Sequence, residues 1–115
     1  MQAVATDRLT RAKLQRLAGD LGGQSEVARF LGVHRSQISR WLSGDEPDPK
    51  NKARLDALEF VLARLSQTFS PPTARKWLSG TNAHLGNRRP LDLIARNRVA
   101  EVIAAIEQAD LDSYA

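Results

Sequence analysis

A chain of 115 residues with 17 basic and 13 acidic side chains, few aromatics and no cysteine has room for one domain, or for two very small ones sharing a core. The lack of cysteine excludes disulfides and thiolate metal sites and suits a reducing cytoplasm. The longest apolar run, residues 60–63, is far too short to cross a bilayer, and Asp7 and Arg8 arrive too early for a secretory leader, so no membrane partner is expected. The net charge of +4 is unevenly placed: residues 1–44 carry seven basic and three acidic side chains, whereas residues 45–115 carry ten of each. Excess positive charge confined to one end calls for an anionic partner there.

Taken in chain order, residues 7–21 are predicted to form a helix, with Leu14, Leu17, Ala18 and Leu21 as its apolar stripe, Thr6 or Asp7 as its cap and Gly22-Gly23 as its stop. Its arginines and lysine are expected to face solvent. Residues 24–44, QSEVARFLGVHRSQISRWLSG, follow as two short helices across a tight turn. Val27, Ala28 and Leu31 share a face of the first; Ile38, Trp41 and Leu42 share a face of the second. Gly32 between them supplies the positive φ of an abrupt turn, and Gly44 marks the end of the second helix. The prolines and acids of residues 45–49, DEPDP, break the chain and are read as a domain boundary.

A helix over residues 50–68 comes next, with Leu55, Leu58, Val61, Leu62, Leu65 and Phe69 as a wide stripe and Ala57 and Phe60 on its flank. Burial within the chain and contact with a second copy are equally open for so wide a stripe. Ser70 with Pro71-Pro72 opens a short helix to about Leu78, with Trp77 and Leu78 pointing inward. Residues 79–89 read as loop, Pro90 opens a short helix over LDLIA, and residues 97–108 form the last, with Val99, Val102, Ile103 and Ile106 on one face. No strand is expected: the fold class is all-α.

The spacing in residues 24–44 resembles the helix-turn-helix of Cro/Xre-type repressors: a polar opening residue (Gln24), a small residue four on (Ala28), the turn glycine (Gly32), then apolar Val33, Ile38 and Trp41. The resemblance implies that the second helix enters the major groove of operator DNA, presenting His34, Arg35, Ser36, Gln37, Ser39 and Arg40. The forks of Arg35 and Arg40 suit guanine O6 and N7, while Gln24 and Gln37 are placed to reach phosphates. His34 stands at the helix cap, where a mediocre cap and a phosphate contact are equally open.

From Trp77 onward the chain resembles the toxin-binding domain of Xre/MbcA/ParS-type antitoxins. The residues that carry this are Trp77-Leu78, Asn82, Leu85-Gly86, the run RPLDLI from Arg89 to Ile94, and the helix from Val99 to Ile106. The resemblance implies a partner toxin with a RES domain that consumes NAD, blocked by the C-terminal segment ADLDSYA: Asp110, Leu111, Asp112, Ser113, Tyr114 and Ala115. An acidic segment suits the positive pocket that a pyrophosphate needs, and the Tyr114 ring can stack, whereas composition alone favours a frayed, inert terminus. It also implies repression of its own operon. The organisation expected is a DNA-binding domain over residues 1–46, a connecting and dimerising helix over 47–69 and a toxin-binding domain over 70–115.

Arg88 and Arg89 are expected to cap carbonyls or pair with Asp92, and His84, without a second ligand nearby, is assigned no metal. There is no phosphate-binding loop, HExxH or GxSxG motif, and the histidines stand fifty positions apart, so neither catalysis nor a cofactor is expected. A stand-alone Xre-type regulator whose C-terminal half only makes a homodimer is the alternative.

Overall fold

The computed structural model describes the backbone of residues 2–113 and the side chains of residues 10–112. The order is α1 (Gln2–Leu21), α2 (Gln24–Leu31), α3 (Arg35–Leu42), α4 (Pro49–Leu65), α5 (Pro71–Ser79), a 3-10 turn (Ala83–Leu85), α6 (Pro90–Ala95) and α7 (Val99–Ser113). Among the described residues there is no strand, and one isolated antiparallel bridge joins Asn82 and Arg88. No helix among them is long and apolar enough to cross a membrane.

The chain forms two compact units that divide inside α4, between Leu55 and Asp56. In the first, α1 packs on α2 and α3. Leu14, Leu17, Ala18 and Leu21 from α1 meet Val27, Ala28, Phe30 and Leu31 from α2 and Ile38 and Trp41 from α3 in its core. Thr10, 8% exposed, is its buried polar residue. Leu42 and Val33, expected inside, are half-buried. Phe30 is buried although sequence reasoning passed over it; with Val27 and Leu31 it makes the i, i+3, i+4 triplet of an amphipathic helix.

In the second unit, α6 packs on α5 and α7, and α7 covers the 3-10 turn. The apolar side chains of Leu58, Val61, Leu65, Leu78, Leu93, Ile94, Val102 and Ile106 are removed from water. Trp77, expected to point inward with Leu78, is half-buried. Both ends of α6 have a local cause. Pro90 occupies the first turn, where its missing N–H costs nothing. Asn97 takes the left-handed conformation at φ 62°, and the next amide, Arg98 N, returns 2.9 Å to the Leu93 carbonyl.

Four helix limits, in three helices, differ from expectation. Thr6 and Asp7 lie within α1 rather than capping it, because the Ala-containing stretch before them continues the helix. α4 stops at Leu65, not Thr68, and the Ser66 hydroxyl donates 2.8 Å to the Ala63 carbonyl in competition with the helix ladder. α7 begins at Val99, not Asn97, and runs on to Ser113, past the expected end at Gln108.

Candidate functional site

The first candidate surface is built by the turn between α2 and α3. Gly32 sits at φ 70° and ψ 32°, and the following amide, Val33 N, reaches 3.0 Å back to the Ala28 carbonyl. This closure consumes the last carbonyls of α2 and swings the chain directly into α3. A Cβ at Gly32 would meet nothing within 4 Å, so the glycine is required for its backbone angle and not for space. Gly32→Ala is therefore expected to cost about 1–2 kcal/mol in urea unfolding, and Gly32→Asn clearly less. Equal losses would locate the constraint in packing instead.

His34 is the cap of α3. Its Nδ1 accepts from the Ser36 amide at 3.2 Å and lies 2.9 Å from the Ser36 hydroxyl. The expectation left open a cap or a phosphate contact, and the ring serves as a cap here. Ile38 and Trp41 anchor the inner face of α3, which forces the remaining positions outward. Arg35, Ser36, Ser39 and Arg40 are exposed, and Gln37 is half-buried. The Arg40 guanidinium donates 2.9 Å to Gln37 Oε1, and the Ser39 hydroxyl donates 3.3 Å to Gln24 Oε1 at the start of α2. Gln24, His34, Arg35, Ser36, Gln37, Ser39 and Arg40 thus fall together on and beside one ridge. Its two arginines, Arg35 and Arg40, face water. Arg54, from the start of α4, steadies the ridge from behind by donating 3.5 Å to the Leu31 carbonyl at the end of α2. Sequence spacing gave no hint of this contact between residues 23 apart.

The second candidate surface lies at the end of α7. Asp110 and Asp112 are on its last turns, with Leu111 between them 65% exposed. Ser113 belongs to the helix by its backbone, while its side chain, Tyr114 and Ala115 lie outside the described residues. Thr68 Oγ1 donates 2.9 Å to Asp110 Oδ1, Gln108 Nε2 donates 3.1 Å to Asp112 Oδ1, and His84 Nε2 stands 3.5 Å from Asp112 Oδ2. The acidic segment is thus the continuation of a helix held by two distant side chains. Neither Thr68 nor His84 was singled out for this in the sequence, since contacts 42 and 28 positions apart leave no local pattern.

Arg88 and Arg89 act inside the unit as expected. Arg88 Nε donates 2.8 Å to the Leu85 carbonyl, and Arg89 grips both oxygens of Asp92 at 2.8 and 3.0 Å. The Arg89 hydrogen bonds hold the Asp92 carboxyl below its ordinary range, opposed by partial desolvation and aided by the charges of Arg89 and Arg96. Glu101 is lowered in the same way, first by its hydrogen bond from Arg98. A carboxylate lowered in the folded state adds stability above its ordinary range and loses it as pH falls through the folded value. Asp92→Asn should therefore flatten the loss of urea resistance expected on acidification below the ordinary carboxylate range. An unchanged slope would remove Asp92 from the acid response.

A small helical domain with an arginine-bearing ridge at a helix-turn-helix, followed by a second helical unit, has the architecture of a helix-turn-helix protein with an appended helical domain. Residues 24–55 match the helix-turn-helix family, and residues 64–108 match the antitoxin Xre/MbcA/ParS C-terminal toxin-binding domain. A probable mycobacterial cidal antitoxin of Mycobacterium tuberculosis is 32% identical over 84 residues, covering 73% of this chain and 72% of that protein. A chain in the crystal structure of the M. tuberculosis MbcT–MbcA toxin–antitoxin complex superposes with a TM-score of 0.68 at 25% identity, covering 84% of this chain and 89% of that one. The chain belongs to the Xre/MbcA/ParS antitoxin family: it is a helix-turn-helix antitoxin of a toxin–antitoxin system.

Proposed function

We propose that this antitoxin neutralises a RES-domain, NAD-consuming toxin through its C-terminal unit and represses its own operon through α3. The observation that carries the reading is the joining of an outward ridge bearing Arg35 and Arg40 to a segment matching a toxin-binding domain over residues 64–108. In the proposed division, residues 1–46 bind DNA, residues 47–69 connect and dimerise, and residues 70–115 bind toxin. α3 is short, eight residues, and reads one half-site; a homodimer doubles the contact. Phe60 on α4, 57% exposed, offers apolar surface for such pairing. Asp110, Leu111 and Asp112, with Ser113, Tyr114 and Ala115 beyond, are proposed to enter the toxin's NAD pocket, where carboxylates take the place of phosphate charge. Such a protein binds and does not catalyse; the setting proposed is the cytoplasm, where DNA and NAD are both at hand.

Co-expression with the product of the adjacent gene, followed by affinity purification and an assay of NAD consumption, tests this. The expected result is a stable complex that leaves NAD intact until the antitoxin is removed. A neighbour that neither copurifies nor consumes NAD would favour a stand-alone regulator.

A further inference from the structure

The end of α7 is occupied before any partner arrives. Its two carboxylates reach two separate elements of their own unit: Asp110 accepts from Thr68 in the α4–α5 connection, and Asp112 faces His84 in the 3-10 turn. Leu111, between them, turns outward. Gln108 braces Asp112 one turn back along the helix. These contacts are exposed, so each is weak and exchangeable with water or with a competing cation. Two weak contacts, made by carboxylates two residues apart, hold a helix end without fixing it permanently.

We infer that Thr68 and His84 form a latch that parks Asp110 and Asp112 on the antitoxin's own surface, and that toxin engagement must break it. The inference rests on the reading that this segment enters the toxin pocket, and it adds a regulation of that step. A segment must leave its parked state before it binds elsewhere, so apparent affinity is reduced by the fraction of time the segment is free.

The test uses the full chain with Thr68→Val and His84→Ala combined. Hydrogen exchange of the backbone amides at residues 108–113, measured without toxin, reads the latch alone. Affinity for the copurified toxin reads the competition. Faster exchange together with toxin binding about three- to ten-fold tighter is expected. Unchanged exchange overturns the latch. Faster exchange with equal or weaker toxin binding overturns the competition. The underlying reading fails separately: Asp110→Ala with Asp112→Ala would then inhibit the toxin as well as the unaltered chain does, whatever the exchange rates show.

Discussion

Replacing Arg35 and Arg40 together with alanine should lower affinity for a duplex from upstream of the antitoxin's own gene by at least about thirty-fold. Each arginine is exposed on α3, and a guanidinium bidentate to guanine is typically worth about 1–3 kcal/mol. Neither side chain contributes to the core built by Ile38 and Trp41, so the double variant should fold. The two positions lie more than a turn apart and are expected to add. The measurement is fluorescence anisotropy at one fixed salt concentration, because phosphate contacts make affinity strongly salt-dependent. Singles separate the roles. Loss of a base contact weakens the true site more than scrambled DNA, whereas loss of a phosphate contact weakens both alike. Arg40 carries a further expectation, since Gln37 already holds its guanidinium. Gln37→Ala should reproduce part of the Arg40→Ala loss by letting that fork wander. An unaltered affinity in the double variant would remove α3 from base reading.

The second large effect concerns the end of α7. A chain ending at Ala109 should no longer prevent the toxin from consuming NAD. The buried residues of α7, Val102, Ala105 and Ile106, precede the cut, so the fold of the unit is expected to survive. Retention of the complex with loss of inhibition would show that the body of residues 64–108 supplies grip and the following segment supplies blockade. Asp110→Ala with Asp112→Ala is the milder variant, since it keeps the helix and removes its charges. Full protection by both altered proteins would refute the blocking role.

The helix-turn-helix was legible because its constraints are local. Residues 24–44 combine a helical period, a small residue at the crossing and one obligatory glycine, and each lies within a turn of the next. The Gly32 angle confirms the backbone demand that the spacing implied. The outward placement of Arg35 and Arg40 followed from the inward placement of Ile38 and Trp41. Helix limits were harder to read. Thr6 and Asp7 have the chemistry of a cap, but a cap residue inside a helix-forming run is overridden. Trp77 shows the same limit in packing: its position on α5 places it at the edge of the core, a matter of neighbours and not of period.

The acidic segment illustrates a different loss. Its composition suggests a frayed end, yet α7 continues through Asp110 and Asp112, and Thr68 and His84 meet them there. Folding brings these groups together across 42 and 28 positions, and no window along the chain contains both partners. Arg89 and Asp92, by contrast, stand three positions apart, and their pairing could be read directly from the chain.

The most direct measurement is the native mass of the assembly formed when antitoxin, copurified toxin and upstream duplex are mixed. The expected result is one species containing all three, which loses the duplex on Arg35→Ala with Arg40→Ala but keeps the toxin. Separate antitoxin–DNA and antitoxin–toxin species that never combine, or a toxin that leaves when those two arginines are changed, would contradict a division of labour between the two units.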